Sequence, residues 1–252
     1  MTEGNALHTP HTFSFMRRGK VASKPAEESA GDAPADGNKE EQQQQQTPNP
    51  YESSIKTFST VETVEEFWAT YNFLKRPNDL PSTTDYHFFR SGIKPTWEDQ
   101  SNAKGGKWIV RFPKGLASRF WEEILLALIG CQFTGVPDGE ICGAVLSIRH
   151  SEDIIGIWNR TSVDRDIIER IRDALKKILQ LPSHAQMEYK PHQTSMQDRT
   201  SFRNTRTWKP KSTEGRLASQ GESRSTMNRR SGSWGEREER KPNQSESSRA
   251  WR

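Results

Sequence analysis

Cysteine is scarce: the chain has two in 252 residues, Cys131 and Cys142. Two cysteines cannot make a disulfide framework, and without histidines at matching spacing they make no zinc site. Both sit among apolar residues, which predicts buried free thiols in a reducing compartment. No run of eighteen apolar residues occurs, and the N-terminus has no apolar signal-peptide core, so a soluble, cytoplasmic protein is expected. Catalytic motifs are missing as well: there is no G-x-S-x-G, no glycine-rich phosphate loop and no H-E-x-x-H. The acidic pairs Glu98-Asp99 and Glu122-Glu123 have no histidine or metal ligand at useful spacing. The expectation is a protein that is not an enzyme, with no metal and no cofactor.

Aliphatic residues are missing from two long stretches. Residues 21–50 hold one valine, six acids, two lysines and five consecutive glutamines. Nothing there offsets the entropy of ordering the chain, so this acidic, Gln-rich insertion reads as disordered. Residues 191–252 hold one leucine, with 14 Lys+Arg against 7 Asp+Glu. That stretch reads as a disordered basic tail of net +7, so with +4 overall the rest of the chain sums to −3. The basic character belongs to the tail and not to a broad phosphate-binding surface. Residues 1–20 form an N-terminal segment with a first strand, and 51–190 form the one domain with a core.

Within that domain three helices are legible. Thr63-Val64-Glu65-Glu66 is a capping box, followed by Val64, Phe67, Trp68, Tyr71 and Leu74 at helical spacing. A second helix runs from about Ser118 to Ile129, stopped by Gly130. A third begins near Asp164, carries Ile167, Ile168, Ile171, Leu175, Ile178 and Leu179, and ends before Pro182. Segments 12–17, 55–61, 86–91, 106–112, 140–149, 153–160 and 186–190 read as strands. The expected fold class is α+β, an antiparallel sheet with helices covering one face.

In segment 141–149 Cys142, Ala144, Leu146 and Ile148 alternate with Gly143, Val145, Ser147 and Arg149. A hairpin symmetric about residues 151 and 152 sets 149 opposite 154 and 145 opposite 158. Arg149 and Trp158 then share one face of the sheet. Five of the eight tryptophans fall in the foldable stretch. Trp108 and Trp121 read as core. Trp97, in a Pro-Thr-Trp-Glu-Asp loop, and Trp158, on a short strand, suit a ligand. An aromatic face attracts a cation, and the neighbouring Glu98 accepts paired N–H donors. A methylated purine has both properties.

The motifs Thr63–Tyr71 (TVEEFWATY), Gly92–Asp99 (GIKPTWED), Gly105–Trp108 (GGKW), Phe120–Leu126 (FWEEILL), Ile141–Val145 (ICGAV) and Ile155–Asn159 (IGIWN) stand in the order of the eukaryotic translation initiation factor 4E family. The chain resembles that family over about residues 50–190, plus a first strand at 7–18. The resemblance implies a curved antiparallel sheet with three helices on its convex face, and binding of the 7-methylguanosine cap of messenger RNA. It implies roles for particular residues. Tyr51, seventeen residues before Trp68, and Trp97 sandwich the methylated base, and Glu98 receives its N–H groups. Trp158 contacts the methyl group, and Arg149 takes the phosphates. On the helical face, Val64, Trp68 and Leu126 receive proteins with a Y-x-x-x-x-L-φ motif, such as 4G-like scaffolds or 4E-binding repressors.

The departures matter too. The family's general factor has lysines two and five residues after the phosphate arginine, where this chain has Ser151 and Ile154. Tyrosine at the first ring position and Lys114–Arg119 (KGLASR) are similar to the 4E homologous protein branch, class II, whose members are often translational repressors. Two further readings stand beside cap binding. One is a scaffold of this fold with weak or no cap affinity; the other is a nucleotide-modifying enzyme, for which no acid, base or metal-ligand set is evident.

Overall fold

The structure, a computed structural model, describes residues 4–17, 50–182, 184–201 and 203–208. The predicted insertion lies outside these residues except for Pro50, and so does the tail beyond 208. Eight strands pair antiparallel throughout: β1 (Ala6–Arg17), β2 (Lys56–Thr63), β3 (Thr84–Arg90), β4 (Gly106–Phe112), β5 (Ile141–Ile148), β6 (Asp153–Asn159), β7 (Met187–Pro191) and β8 (Arg206–Trp208). Their order across the curved sheet is β2-β1-β3-β5-β6-β4-β7-β8.

Three longer helices, α2 (Val64–Tyr71), α3 (Ala117–Ile129) and α4 (Arg165–Ile178), share one core with the convex face. Alternation along each strand decides what that core contains. Trp108, Val110 and Phe112 of β4 enter it, as do Ile155 and Ile157 of β6 and Met187 and Tyr189 of β7. Lys107, Arg111 and Glu188 therefore belong to the concave face. Trp121 is fully buried, and the Trp108 indole N–H donates to the Ile168 carbonyl at 2.9 Å. Both are core residues, as their patterns predict.

The caps follow the sequence signals with one change. Thr63 accepts from the Glu66 backbone N–H at 3.2 Å, but the Glu66 carboxylate reaches back to the Glu62 N–H at 2.7 Å, one residue earlier than a strict capping box. Asp164 caps α4 by accepting from Asp166 and Ile167.

Four expectations need correction. The β5–β6 hairpin pairs Ile148 with Asp153 and Ser147 with Ile154, two residues away from the predicted register. A two-residue slip preserves faces, so Arg149 keeps its side of the sheet, but Trp158 pairs with Gly143 and not with Val145. An irregularity between Ile141 and Gly143 breaks the predicted alternation. Ile141 enters the main core while Cys142 joins a smaller cluster with Phe89 and Trp158. Cys131 is exposed, not buried, because it lies just past the end of α3 with a positive φ of 51°. Both cysteines are free thiols. Finally, ordered structure continues past residue 190 into the predicted tail: α5 (His192–Asp198) and β8 follow β7. The fully buried Lys190 ammonium fixes this return by donating to Asp198, to the Thr200 carbonyl and to the Thr200 hydroxyl at 2.8–3.0 Å.

Candidate functional site

The site is built on one end of the concave face. Trp158 of β6, Phe89 of β3 and Cys142 of β5 form a small buried cluster, with Trp97, Ile93 and Val145 packed against it. The Phe89 and Trp158 rings meet edge to face at 5.4 Å. This second cluster lies apart from the main core, with Phe89 1% and Trp158 4% exposed beneath the half-buried Trp97.

Trp97 arrives on the 92–105 loop, which its own polar residues hold in shape. Asp99 accepts from the Lys94 N–H at 3.0 Å and the Ser101 N–H at 2.8 Å. The Asn102 amide donates to the carbonyls of Lys94 and Thr96 at 2.8 and 2.9 Å. The loop closes at Gly105, where a Cβ would lie 1.8 Å from the Asn159 carbonyl oxygen, so only glycine fits. Trp97 is half-buried and Glu98 beside it is exposed.

Tyr51 lies on a short helix, α1 (Pro50–Ser53). Its neighbour Glu52 accepts from the Lys94 ammonium at 2.5 Å, which ties this helix to the Trp97 loop. The structure thus packs Trp97, with Glu98 next to it, against the Trp158 cluster and ties the helix that carries Tyr51 to the same loop. Arg149 is not there. It lies beyond the last hairpin pair, while Trp158 is five pairs further along, roughly 16 Å at a strand's rise per residue. Arg149 Nη2 is 2.7 Å from Asp85 Oδ1, and Nη1 donates to the Ile148 carbonyl at 3.0 Å.

Two further residues belong to this site: Lys107, inside the Gly105–Trp108 motif, and His192, outside every motif. The Lys107 ammonium stands 5.9 Å from the Trp97 ring and 5.6 Å from the Trp158 ring, a cation between two indoles. The alternation that sends Trp108 inward could have located it. His192 packs on Trp158 with ring centroids 4.2 Å apart, and no sequence signal marks it. Burial, and then the charge of Lys107, hold its pKa well below the ordinary range, so the ring is neutral. Burial likewise pushes the Cys142 thiol up to about 12, so this cysteine is no nucleophile at neutral pH.

Beneath the site, buried Glu140 accepts from the Asn159 amide at 3.0 Å and from the Thr161 N–H and hydroxyl at 2.8 and 3.1 Å. The Tyr189 hydroxyl donates to Asn159 Oδ1 at 3.0 Å. This network fixes the strand end that carries Trp158. Among the described residues no group of three or more His, Cys, Asp or Glu side chains could hold a metal ion.

On the convex side Trp68 of α2 is 37% exposed, although Phe67 and Tyr71 of the same helix are buried. Val64 and Leu126 are half-buried. The Tyr71 hydroxyl donates to Glu122 at 2.9 Å, which locks α2 to α3 one turn from Leu126. Phe73, just past α2, is 90% exposed.

A curved antiparallel sheet backed by three helices, with Trp97 and the loop carboxylate Glu98 gathered beside Trp158 on its concave side, is an arrangement that suits a flat, cationic ligand. The family model described as Eukaryotic initiation factor 4E matches residues 36–207. The chain belongs to that family. It is 52% identical over 155 residues to Eukaryotic translation initiation factor NCBP of Arabidopsis thaliana, covering 62% of this chain and 69% of that protein. It is 46% identical over 158 residues to Eukaryotic translation initiation factor 4E-4 of Caenorhabditis elegans, covering 63% and 74%. Among solved structures it is similar to Ascaris suum eIF4E-3 in complex with the m7G cap, at 31% identity and a TM-score of 0.60 over 77% of this chain and 94% of that one. It is also similar to C. elegans eIF4E-3 with the 4E-binding protein Mextli and cap analog, at 31% identity and a TM-score of 0.62 over 77% and 96%.

Proposed function

We propose that this protein binds the 7-methylguanosine 5′ cap of messenger RNA and regulates translation initiation in the cytoplasm, as a recognition module without catalysis. Tyr51 and Trp97 supply the two faces of an aromatic sandwich for the cationic base. Glu98 accepts its N–H donors, Trp158 contacts the methyl group, and Arg149 meets the phosphates. The observation that carries this reading is the packing of the Trp97–Glu98 loop against the Trp158 cluster on the concave side, with the Tyr51 helix tied to that loop through Glu52 and Lys94. Methylation at N7 makes guanine cationic, and aromatic faces reward a desolvated cation by about 2 kcal/mol. The solved relatives bound to an m7G cap and to a cap analog support the same ligand here.

Partner proteins bearing a Y-x-x-x-x-L-φ motif dock on the opposite side, over Val64, Trp68 and Leu126. An exposed tryptophan among aliphatic side chains is a common hot spot for an amphipathic helix. The relative solved with Mextli supports a protein partner of this kind.

Retention on 7-methylguanosine resin tests the cap assignment. Elution by free methylated nucleotide, with no elution by equal GTP, is the expected result. Failure to be retained, or equal elution by both, rejects it.

A further inference from the structure

The positive charge of the tail is concentrated next to the sheet. Residues 209–233 carry Lys209, Lys211, Arg216, Arg224, Arg229 and Arg230 against Glu214 and Glu222, a net of +4, whereas residues 234–252 carry five Lys and Arg against four Glu. The structure fixes where this stretch begins. β8 pairs with β7 through Tyr189↔Arg206 and Met187↔Trp208, and β7 pairs with β4 through Gly106↔Pro191 and Val110↔Met187. β8 therefore runs away from Gly106, beside the point where the Trp97 loop closes, and towards the far end of β4. Val110 pairs in turn with Ile155, so Trp208, Met187, Val110 and Ile155 form one row across the sheet. Ile154, one of the two positions where the sequence lacks a lysine, stands in the next row in that direction. Trp208 is pinned from α4: the Arg172 guanidinium lies 4.2 Å and the Lys176 ammonium 4.6 Å from its ring. The chain thus leaves the sheet at β8, three strand spacings from β6 and Ile154, roughly 14 Å. About five extended residues cover that distance. Arg111 and Lys114, at this same end, are engaged by carboxylates: Arg111 by Glu152 at 2.8 Å and Glu188 at 3.5 Å, Lys114 by Asp153 at 2.6 Å.

We propose that residues 209–233 form a second RNA contact: they bind the phosphates of the RNA chain that follows the cap. The proposal rests on the cap-binding reading above, which sends that chain out past Arg149 at the same end of the concave face. The composition suits a single strand. Guanidinia interspersed with serine meet phosphates, and an indole such as Trp234, directly after the stretch, stacks on an unpaired base. Each phosphate neutralised on a single strand adds about 0.7 to the slope of log affinity against log salt concentration. The rest of the chain does not carry this charge: with +4 overall and +5 in residues 209–252, residues 1–208 sum to −1. Affinity for RNA beyond the cap is therefore assigned to the tail and not to the sheet.

The test compares the full chain with a full-length variant in which Lys209, Lys211, Arg216, Arg224, Arg229 and Arg230 are all replaced by Gln. Each is titrated at several salt concentrations with 7-methylguanosine triphosphate and with capped and uncapped unstructured RNA of about 20 nucleotides. Wild type is expected to bind the capped RNA about tenfold or more tightly than the nucleotide at low salt, with a log–log salt slope steeper by about 2, as for three phosphate contacts. The variant should lose that gain and that extra slope, while its affinity for the nucleotide stays within about twofold, since the substitutions leave every residue of the cap site in place. Capped RNA bound no more tightly than the nucleotide by wild type, or a gain that the variant keeps, overturns the proposal. So does a variant that loses the nucleotide as well, or wild type that binds phosphatidylserine vesicles and gains nothing from RNA. The uncapped RNA separates the two readings. Salt-dependent binding of it that the variant lacks supports the tail contact even where 7-methylguanosine triphosphate is not bound, a result that overturns the cap reading alone.

Discussion

Lys94 reaches across from the Trp97 loop to Glu52, the residue next to Tyr51, at 2.5 Å. Both side chains are solvent-exposed, so the pair contributes little to overall stability. Its consequence is positional. It joins the two segments that carry the opposing rings of the proposed sandwich, and those segments are far apart in sequence. The Lys94 ammonium is stabilised in its charged form by this carboxylate first and by Asp99 less, so the link persists across the neutral range.

Trp97→Ala and Glu98→Ala should each reduce cap affinity by about thirtyfold or more, from a cation–π contribution near 2 kcal/mol and a charge-assisted hydrogen-bond pair of similar size. Trp97 is half-buried and Glu98 is exposed, so the main core should be left intact. Retention on cap resin together with a far-UV spectrum checks both points. A folded variant that is retained like wild type contradicts the site assignment.

The helical face should be separable from the cap site. Trp68→Ala removes an exposed indole on the side of the sheet away from Trp97 and Trp158. It is expected to weaken a Y-x-x-x-x-L-φ peptide by 2 kcal/mol or more, roughly thirtyfold, while cap affinity stays within twofold. Calorimetry with peptide and with nucleotide measures the two effects independently. Parallel loss of both would mean that Trp68 supports the fold and not a partner.

Much of this was legible in the chain itself, for reasons that differ by element. The helices α2, α3 and α4 announce themselves because caps and apolar spacing are local properties. Trp108 and Trp121 read correctly as core because alternation and helical spacing agree with their neighbours. Register was less legible. The hairpin turn admits two symmetric closures, and the one adopted moves every pair by two residues while leaving faces unchanged. The irregularity at Ile141–Gly143 has no composition signal, so Cys142 appeared on the wrong face. His192 escaped notice because a histidine after a proline resembles a surface residue, and Lys107, though part of the Gly105–Trp108 motif, carries no local sign of its place between two indoles. Their placement against Trp158 depends on pairing between distant strands.

Acid should destabilise the fold in a defined window. Burial, more than the nearby Arg90 charge, lowers the pKa of His11 from 6.5 to about 4, against a smaller opposing effect of its bond to the Thr9 carbonyl. The unfolded chain therefore binds a proton below pH 6.5 that the folded chain refuses until about pH 4. Stability should fall as pH drops through this window, by about 2 kcal/mol from this residue at pH 5, and level off below it. His11→Phe, which keeps the ring packed on Phe88, should flatten the dependence in urea titrations between pH 7.5 and 5. An unaltered slope would assign the acid sensitivity to other groups, His192 first.

Gly105→Ala should be poorly tolerated. The added methyl meets the Asn159 carbonyl oxygen at 1.8 Å, and backbone cannot swing away as a flexible side chain can. A loss of about 1–3 kcal/mol is expected from the forced shift. Because the Trp97 loop closes at this residue, cap affinity should fall with stability. A urea midpoint equal to wild type would show that the strand end is more yielding than its packing indicates.

The central claim is that the concave pocket recognises the charge and shape of a methylated guanine. Its most direct test is quenching of tryptophan fluorescence in a titration with 7-methylguanosine triphosphate and, separately, with GTP. The two ligands carry the same phosphates and differ only at N7. A cation–π contribution of about 2 kcal/mol predicts that the methylated nucleotide binds roughly thirtyfold more tightly. Equal affinities, or no quenching by either nucleotide, would contradict the account.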